Sequence, residues 1–393
     1  MDFTIDYDVG PKKRRRESVT VLEDYQTDTF ADSVYTPEFV CAAAGGSGGS
    51  VGTTGAAGGG AEEDDDEEEE VPLAEPAEAL TATEFYDRFV RRTPEACIAE
   101  LMAPQRSQAW LDARKHAITA SNFGAASGNN KYEGPAELVI SKLWSTFQGN
   151  EATRYGTFHE PDARASLEAA LEGPLRPTLV DQYVKAITGR GRKAVAPEQV
   201  DAELQYSLFE TGLLKHSAQP WMAVSPDGIL RLTTDSDAAA GVPPVWLLVE
   251  YKCPARLRDA EDHPYKKDPH NVPPYYMDQM QGILGLFNKF PELQDTGFQA
   301  ACSSGASSAC SSGASSAGGG AASIDGPRSA LFVVWQPHQF HVTLVPFQKE
   351  YYSKSLEPAL EAWYFGRYLP LATLQYNGQL VPGTDTASPP IGL

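Results

Sequence analysis

The sequence predicts an α/β (α+β) fold: a central mixed β-sheet flanked by helices. Three observations carry this expectation. Apolar residues recur at helical spacing through the first part of the foldable region. Short, β-rich apolar runs cluster in its middle. A helix, a strand pair and a final helix follow, an order that suits one sheet with helices on its faces.

The elements are predicted as follows. "LTATEFYDRFVRR" offers Thr candidates for an N-cap ahead of helical apolar spacing. "AELVISKLWSTF" (136–147) places Leu138, Val139, Leu143 and Phe147 near one face of a core helix. "EPDARASLEAALEG" (160–173) reads as a helix with Pro in its first turn and Gly at its end. "WMAV", "GILRL" and "VWLLVEY" are strand candidates, the last two joined by the polar, turn-rich "TTDSDAAAGVPP" as in a hairpin. "MDQMQGILGLFNKF" reads as a helix. "ALFVVW" and "FHVTLVPF" pair around "QPHQ", and "EYYSKSLEPALEAWYFGRYL" is a last helix expected to kink at Pro358.

The chain of 393 residues divides by composition. Residues 1–80 are expected to be a disordered tail. They hold the basic "PKKRRR" (11–16), a Gly-rich tract (42–61) and the acidic run "EEDDDEEEE" (62–70). Neither tract buries enough apolar area to offset its ordering entropy. The foldable domain is expected over 81–375, with a low-complexity insertion at 299–326 that contains "CSSGASSA" twice in tandem. Residues 376–393 are expected to be a flexible C-terminal tail.

The net charge is −21, and the nine acids of the run at 62–70 account for much of it; without them the balance is −12. Bulk charge therefore leaves a local basic groove open. Five cysteines without a CxxC pair argue against a disulfide framework or a zinc site, and for a reducing compartment. No stretch is long and apolar enough to suggest a signal peptide or a membrane span. The five consecutive basic residues Lys12 to Arg16 suit a nuclear import signal, or else a generic polyanion-binding tail.

The chemistry concentrates in "AVSPDGILRL" and "WLLVEYKCPA". Asp227, between Pro226 and Gly228, sits at a bend. Glu250 and Lys252, two apart in a strand, share a face. Two carboxylates converging from paired strands make a hard-oxygen site for Mg²⁺ or Mn²⁺. A neighbouring Lys can orient or help deprotonate water, or stabilise phosphate charge. For an isolated ExK, a strand-edge salt bridge with a turn Asp is the commoner arrangement, and the spacing by itself leaves both open.

Three further stretches join these: "QRSQAWLDARKHAITASNFG" (105–124), "YGTFHEPDA" (155–163) and "YYMDQMQG" (275–282). In this order the five motifs resemble the YqaJ and bacteriophage lambda exonuclease family, which includes viral alkaline nucleases, within the PD-(D/E)xK superfamily. The resemblance implies a restriction-endonuclease-like core and a Mg²⁺-dependent 5′-to-3′ exonuclease, with Mn²⁺ able to substitute. Such an enzyme works on double-stranded DNA ends, releases 5′-mononucleotides and leaves 3′ single strands. It implies Glu160, Asp227 and Glu250 as metal ligands and Lys252 as the catalytic lysine. Gln279 is implied to position the water or its neighbours. Arg114 and Ser121, with Lys131 nearby, are implied to hold a 5′-terminal phosphate. Taken singly, Glu160 would be a helix-start acid, Ser121 an N-cap and Arg114 a surface charge. His159, His263 and His270 have no zinc spacing and are expected to play ordinary roles. Cys253 is expected to be a buried thiol.

The resemblance also implies a single-strand annealing partner, and a viral enzyme acting in DNA replication and recombination. With the basic cluster, this implies a host nucleus, and otherwise the cytoplasm. Relatives are either ring trimers or monomers. Two alternatives stay open: a structure-dependent endonuclease of the same superfamily cutting DNA or RNA, and a non-catalytic nuclear DNA-binding adaptor.

Overall fold

Seven strands form the main sheet, in the order Phe3–Asp8, Arg14–Val21, Gln339–Pro346, Ser329–Gln336, Val245–Lys252, Gly228–Thr234 and Leu204–Phe209. In this computed structural model residues 3–8, 14–21, 79–144, 150–192, 195–255, 272–290, 326–337 and 339–380 are described. The strands are β1 (Phe3–Asp8), β2 (Arg14–Val21), β4 (Leu204–Phe209), β6 (Gly228–Thr234), β7 (Val245–Lys252), β8 (Ser329–Gln336) and β9 (Gln339–Pro346). Two short strands, β3 (Ile118–Thr119) and β5 (Met222–Ala223), pair in parallel beside it. The β2/β9 and β7/β8 pairs are parallel and the rest antiparallel, so the sheet is mixed as predicted. The expected hairpin joins β6 to β7, with a short helix, Asp235–Ala239, in its connection.

Strand β7 reads "VWLLVEYK" and is buried almost throughout because β6 and β8 flank it and helices cover both faces. Its alternate residues serve two cores. Trp246 and Leu248 pack with Phe332, Val334 and the helix Pro274–Lys289. Leu247, Val249 and Tyr251 pack with Leu331 and Val333 against the helices Glu151–Leu171 and Arg176–Gly189. This period-two division fixes the register, since a one-residue slip would exchange the faces.

Caps define several helix starts. Thr81 accepts from the Glu84 N–H while the Glu84 carboxylate accepts from the Thr81 N–H, a full capping box ahead of Ala82–Phe89. The helix Pro135–Trp144 matches the predicted one, whose last three positions lie outside the described residues. The helix predicted from residue 160 instead begins at Glu151, capped by the Asn150 side chain. Pro161 is therefore interior, and Glu160 is not a helix-start acid. The periodic apolar face begins only at Ala163, which is why the polar first half gave no signal.

The last helix runs from Lys349 to Tyr376. Around the expected kink site at Pro358 its hydrogen bonding widens to the π register, over Tyr352–Leu356 and again over Tyr364–Tyr368. Each widened turn ends just before a proline, Pro358 or Pro370, where a regular turn would lose a bond and clash with the ring. Three contacts bind this helix to the segment before β3: Tyr364 Oη donates to the His116 carbonyl at 2.6 Å, and Tyr368 Oη lies 3.3 Å from both the Lys115 carbonyl and His116 Nδ1.

Two stretches inside the expected N-terminal tail, Phe3–Asp8 and Arg14–Val21, are strands on the open edge beside β9. The reason is local: Phe3, Ile5 and Tyr7, and later Val19 and Val21, alternate with polar residues at the strand period. The Gly tract and the acidic run lie outside the described residues, as does the insertion apart from Gly326. At the other end, residues 376–380, expected to be tail, close the fold. Asn377 Oδ1 accepts from the Leu80 N–H at 2.9 Å and its Nδ2 donates to the Leu80 carbonyl at 2.8 Å. Residues 381–393 lie outside the described residues, and among those described no helix is long and apolar enough to cross a membrane.

His116 supplies a pH prediction. Its ring lies between Phe85 and Phe89, and burial, followed by the Lys115 and Lys142 charges, pulls its pKa down to about 4. Between the unfolded value of about 6.5 and this one, the unfolded chain takes a proton that the folded chain refuses. Stability is therefore complete above about pH 6.5 and falls as pH drops toward 4, by about 2 kcal/mol after discounting for partial exposure. Urea midpoints at pH 7.5, 5.5 and 4.5 should fall less steeply in His116→Phe than in wild type. Equal slopes would remove this assignment.

Candidate active site

The bend at Pro226–Asp227 and the end of β7 meet at one edge of the sheet core. Asp227 Oδ2 accepts from the Tyr251 N–H at 2.7 Å, which extends the β6/β7 ladder by one side-chain bond. Glu250 and Lys252 share a face, as their spacing predicts, and Lys252 Nζ lies 2.6 Å from Glu250 Oε1. This is no strand-edge pair: Glu250 is only 4% exposed, on a strand bonded on both sides. From the helix Pro274–Lys289, Gln279 Nε2 donates to the same Glu250 Oε1 at 2.5 Å. That helix sits close because Gly282 has no side chain; a Cβ there would come within 2.2 Å of the Phe123 ring. Tyr276, one turn before Gln279, places its ring 4.8 Å from Lys252 Nζ.

Glu160 arrives from the opposite helix layer. It lines a cavity of about 540 Å³ together with Asp227, Tyr251, Thr157, Pro161, Arg164 and Arg106. Its Oε2 is 2.5 Å from Arg106 Nη2. Thr157, whose carbonyl Pro161 leaves without its usual N–H partner, faces the same cavity. Gly212 lets the cavity wall close up, since a Cβ there would lie 2.4 Å from the Leu101 carbonyl oxygen.

The electrostatics follow from this crowding. Burial pushes the Asp227 carboxyl well above the usual range, and the Glu250 and Glu160 charges push it further, against the Lys252 ammonium and the Tyr251 N–H. For Lys252, burial acts to lower the pKa, yet Glu250, Tyr276 and Asp227 together hold it above the ordinary lysine value. The thiol of Cys253 is buried as expected, and burial followed by the Glu160 and Asp227 charges raises its pKa to about 12. It is no nucleophile near neutral pH.

Among the described residues no three His, Cys, Asp or Glu side chains are assembled to hold a metal ion as they stand. Glu160 is turned to Arg106, and Glu250 to Lys252 and Gln279. The donor set nevertheless fits a hard cation. Glu250 Oε2 is buried without a hydrogen-bond partner, and the Glu250 and Glu160 carboxylates both oppose a charge on Asp227. An unpartnered buried carboxylate oxygen is costly unless a cation or proton takes it.

The residues expected to hold a phosphate form a separate group. The Arg114 guanidinium lies 4.0 Å from the Trp110 ring centroid, and its Nη2 is 3.5 Å from Thr119 Oγ1. Thr119 Oγ1 is in turn 3.3 Å from Ser121 Oγ. Thr119 thus bridges Arg114 and Ser121, a link that only the β3 turn reveals. Burial draws the Arg114 pKa down to about 10, and it has no carboxylate partner among the described residues. Lys131 stands apart. It is exposed, 4.9 Å from the Tyr132 ring, and a row of rings, Tyr132, Tyr275 and Tyr276, leads from it to Lys252. His159 is stacked on Trp335 and paired with Asp162, an ordinary role; His263 and His270 lie outside the described residues. Sequence reasoning missed Arg106, Thr119 and the Tyr251 N–H. No pattern marks the first two, and a backbone donor has none to show.

The structure thus brings Asp227, Glu250, Lys252 and Gln279 into one cluster, with Glu160 from the opposite helix layer lining the cavity that Asp227 also lines. The family model described as "YqaJ-like viral recombinase domain" matches residues 109–289, and the match supports a recombination-type nuclease. Among solved structures, the crystal structure of LHK-Exo in complex with dAMP is similar with 18% identity and a TM-score of 0.38, covering 70% of this chain and 97% of that one. No curated protein matches the chain.

Proposed function

We propose that the protein is a divalent-cation-dependent 5′-to-3′ exonuclease that hydrolyses double-stranded DNA from its ends. It releases 5′-mononucleotides and leaves 3′ single strands for viral recombination and replication. The observation that carries this reading is the Asp227–Glu250–Lys252–Gln279 cluster with its unpartnered Glu250 oxygen, inside the matched recombinase domain. Glu160, Asp227 and Glu250 would hold the cation, Mg²⁺ or Mn²⁺, which when bound supplies positive charge at the scissile phosphate and a more acidic water.

The other steps belong to the chain. Lys252, whose pKa is held up chiefly by Glu250 in the cation-free chain, stabilises phosphate charge and orients water. Gln279 keeps Glu250 Oε1 in place, leaving Oε2 for its ligand. Arg114, held flat by Trp110, and the Ser121 hydroxyl bind the terminal 5′-phosphate by charge-assisted hydrogen bonds. Lys131 adds a cation on the approach. Backbone contacts of this kind do not read base sequence. The same reading includes a single-strand annealing partner and nuclear import through Lys12 to Arg16.

The test compares linear duplexes with 5′-phosphate and 5′-hydroxyl ends, and closed circular DNA, with Mg²⁺ and with chelator. Wild type should prefer the phosphorylated end about tenfold or more and lose all activity in chelator. Arg114→Ala should abolish the preference. Rapid cutting of closed circles would replace the exonuclease by the endonuclease reading.

A further inference from the structure

Arg106 lies outside the matched domain and is the one non-glycine residue with positive φ among the described residues, at 68°. The Ser107 N–H donates to the Pro104 carbonyl at 3.1 Å, so Arg106 occupies the third position of a tight turn, and its positive φ is the one a type II turn requires there. Glycine adopts that conformation freely and an arginine does not. The turn is pinned on both sides. Gln105 Nε2 donates to the Thr211 carbonyl at 2.9 Å, and Ser107 caps the next helix through the Trp110 N–H.

The strained turn sends a long cation across the mouth of the cavity onto Glu160, 2.5 Å from its Oε2. Strain of this kind persists where the side chain has a use. The Arg106 side chain is about half exposed, so the pair is not locked in. Arg164, the other arginine lining the cavity, is already held by Glu168, Glu210 and the Leu208 carbonyl.

We propose that Arg106 is a positioning residue that competes with the divalent cation for Glu160 and, once displaced, grips a phosphate of the DNA backbone. This rests on the nuclease reading above. Without a cation, the guanidinium offsets the charge of Glu160, which even so adds to the repulsion at Asp227. When the cation takes Glu160, the guanidinium is released at the cavity mouth, where its planar donors suit a phosphate. Loading the metal thereby raises the grip on DNA.

The experiment measures Mn²⁺ binding by calorimetry on the full chain without DNA, for wild type, Arg106→Gly and Asp227→Asn. It also measures the salt dependence of binding to a DNA end in Ca²⁺. Arg106→Gly should bind Mn²⁺ about two- to fivefold more tightly, as expected for loss of a half-exposed competing ion pair. Its log–log salt slope should be shallower by about one. Glycine suits the turn, so this variant should melt no lower than wild type, whereas a purely structural arginine would lower both melting temperature and Mn²⁺ affinity. Mn²⁺ binding that needs Asp227 but ignores Arg106→Gly, or an unchanged salt slope, overturns the proposal alone. Mn²⁺ binding that ignores Asp227→Asn overturns the metal reading and this proposal with it.

Discussion

Lys252→Met lowers the rate of hydrolysis of linear duplex DNA about a thousandfold at saturating Mg²⁺, with little change in affinity for the DNA end. The size follows from what a positioned polar or charged group contributes to a proton- or charge-transfer step, about a hundred- to ten-thousandfold. Lys252 Nζ is fixed from two sides, by Glu250 Oε1 at 2.6 Å and by the Tyr276 ring at 4.8 Å, and its ammonium has no freedom to act elsewhere. The loss should appear in kcat and not in KM, because the charge it stabilises develops only in the transition state. Single-turnover digestion with a 5′-phosphorylated duplex separates the two. A Lys252→Met protein that keeps a tenth of wild-type kcat would remove Lys252 from the chemistry.

The second large effect is on stability in chelator, where two site variants should move in opposite directions. Lys252→Ala leaves the buried Glu250 beside Asp227 with no cation, and breaking such a pair costs about 3 kcal/mol. Asp227→Asn does the reverse. Its carboxyl is held well above the usual range by burial and by Glu250, so ionising it in the folded chain is unfavourable. Below the unfolded value of about 3.9 the carboxyl is protonated in both states and this cost is absent. As pH rises through the raised folded value, the unfolded chain loses its proton more readily and stability is lost. The advantage of Asp227→Asn over wild type therefore widens from about pH 4 upward and then levels. Adding Mn²⁺ should reverse it, since only wild type gains from binding. Urea unfolding at pH 4, 6 and 8, with and without Mn²⁺, checks this. A destabilised Asp227→Asn in chelator at pH 8 would show that the crowding of carboxylates at this edge has been misread.

The part of the site legible in the sequence was the part carried by short-range geometry. Glu250 and Lys252 are two apart, and a strand must put them on one face; the structure shows them 2.6 Å apart. Asp227 stands next to a glycine at a strand start, and the hairpin brings it beside Tyr251. Such relations depend on backbone period alone, so the residue types suffice to predict them. The same holds for the Thr81 cap, the β8/β9 pair and the apolar run of β7.

What only the tertiary structure decided was every relation across the sheet or between helices. Glu160 pairs with Arg106 and not directly with the other carboxylates; Gln279 selects one oxygen of Glu250; Thr119 bridges Arg114 to Ser121. The first of these also depends on a turn whose positive φ no arginine announces. Side-chain direction at long range is set by how two packed layers meet, and that depends on many contacts at once, such as the one that requires Gly282 against Phe123. Local pattern determines which face a residue presents, while packing determines what it finds there.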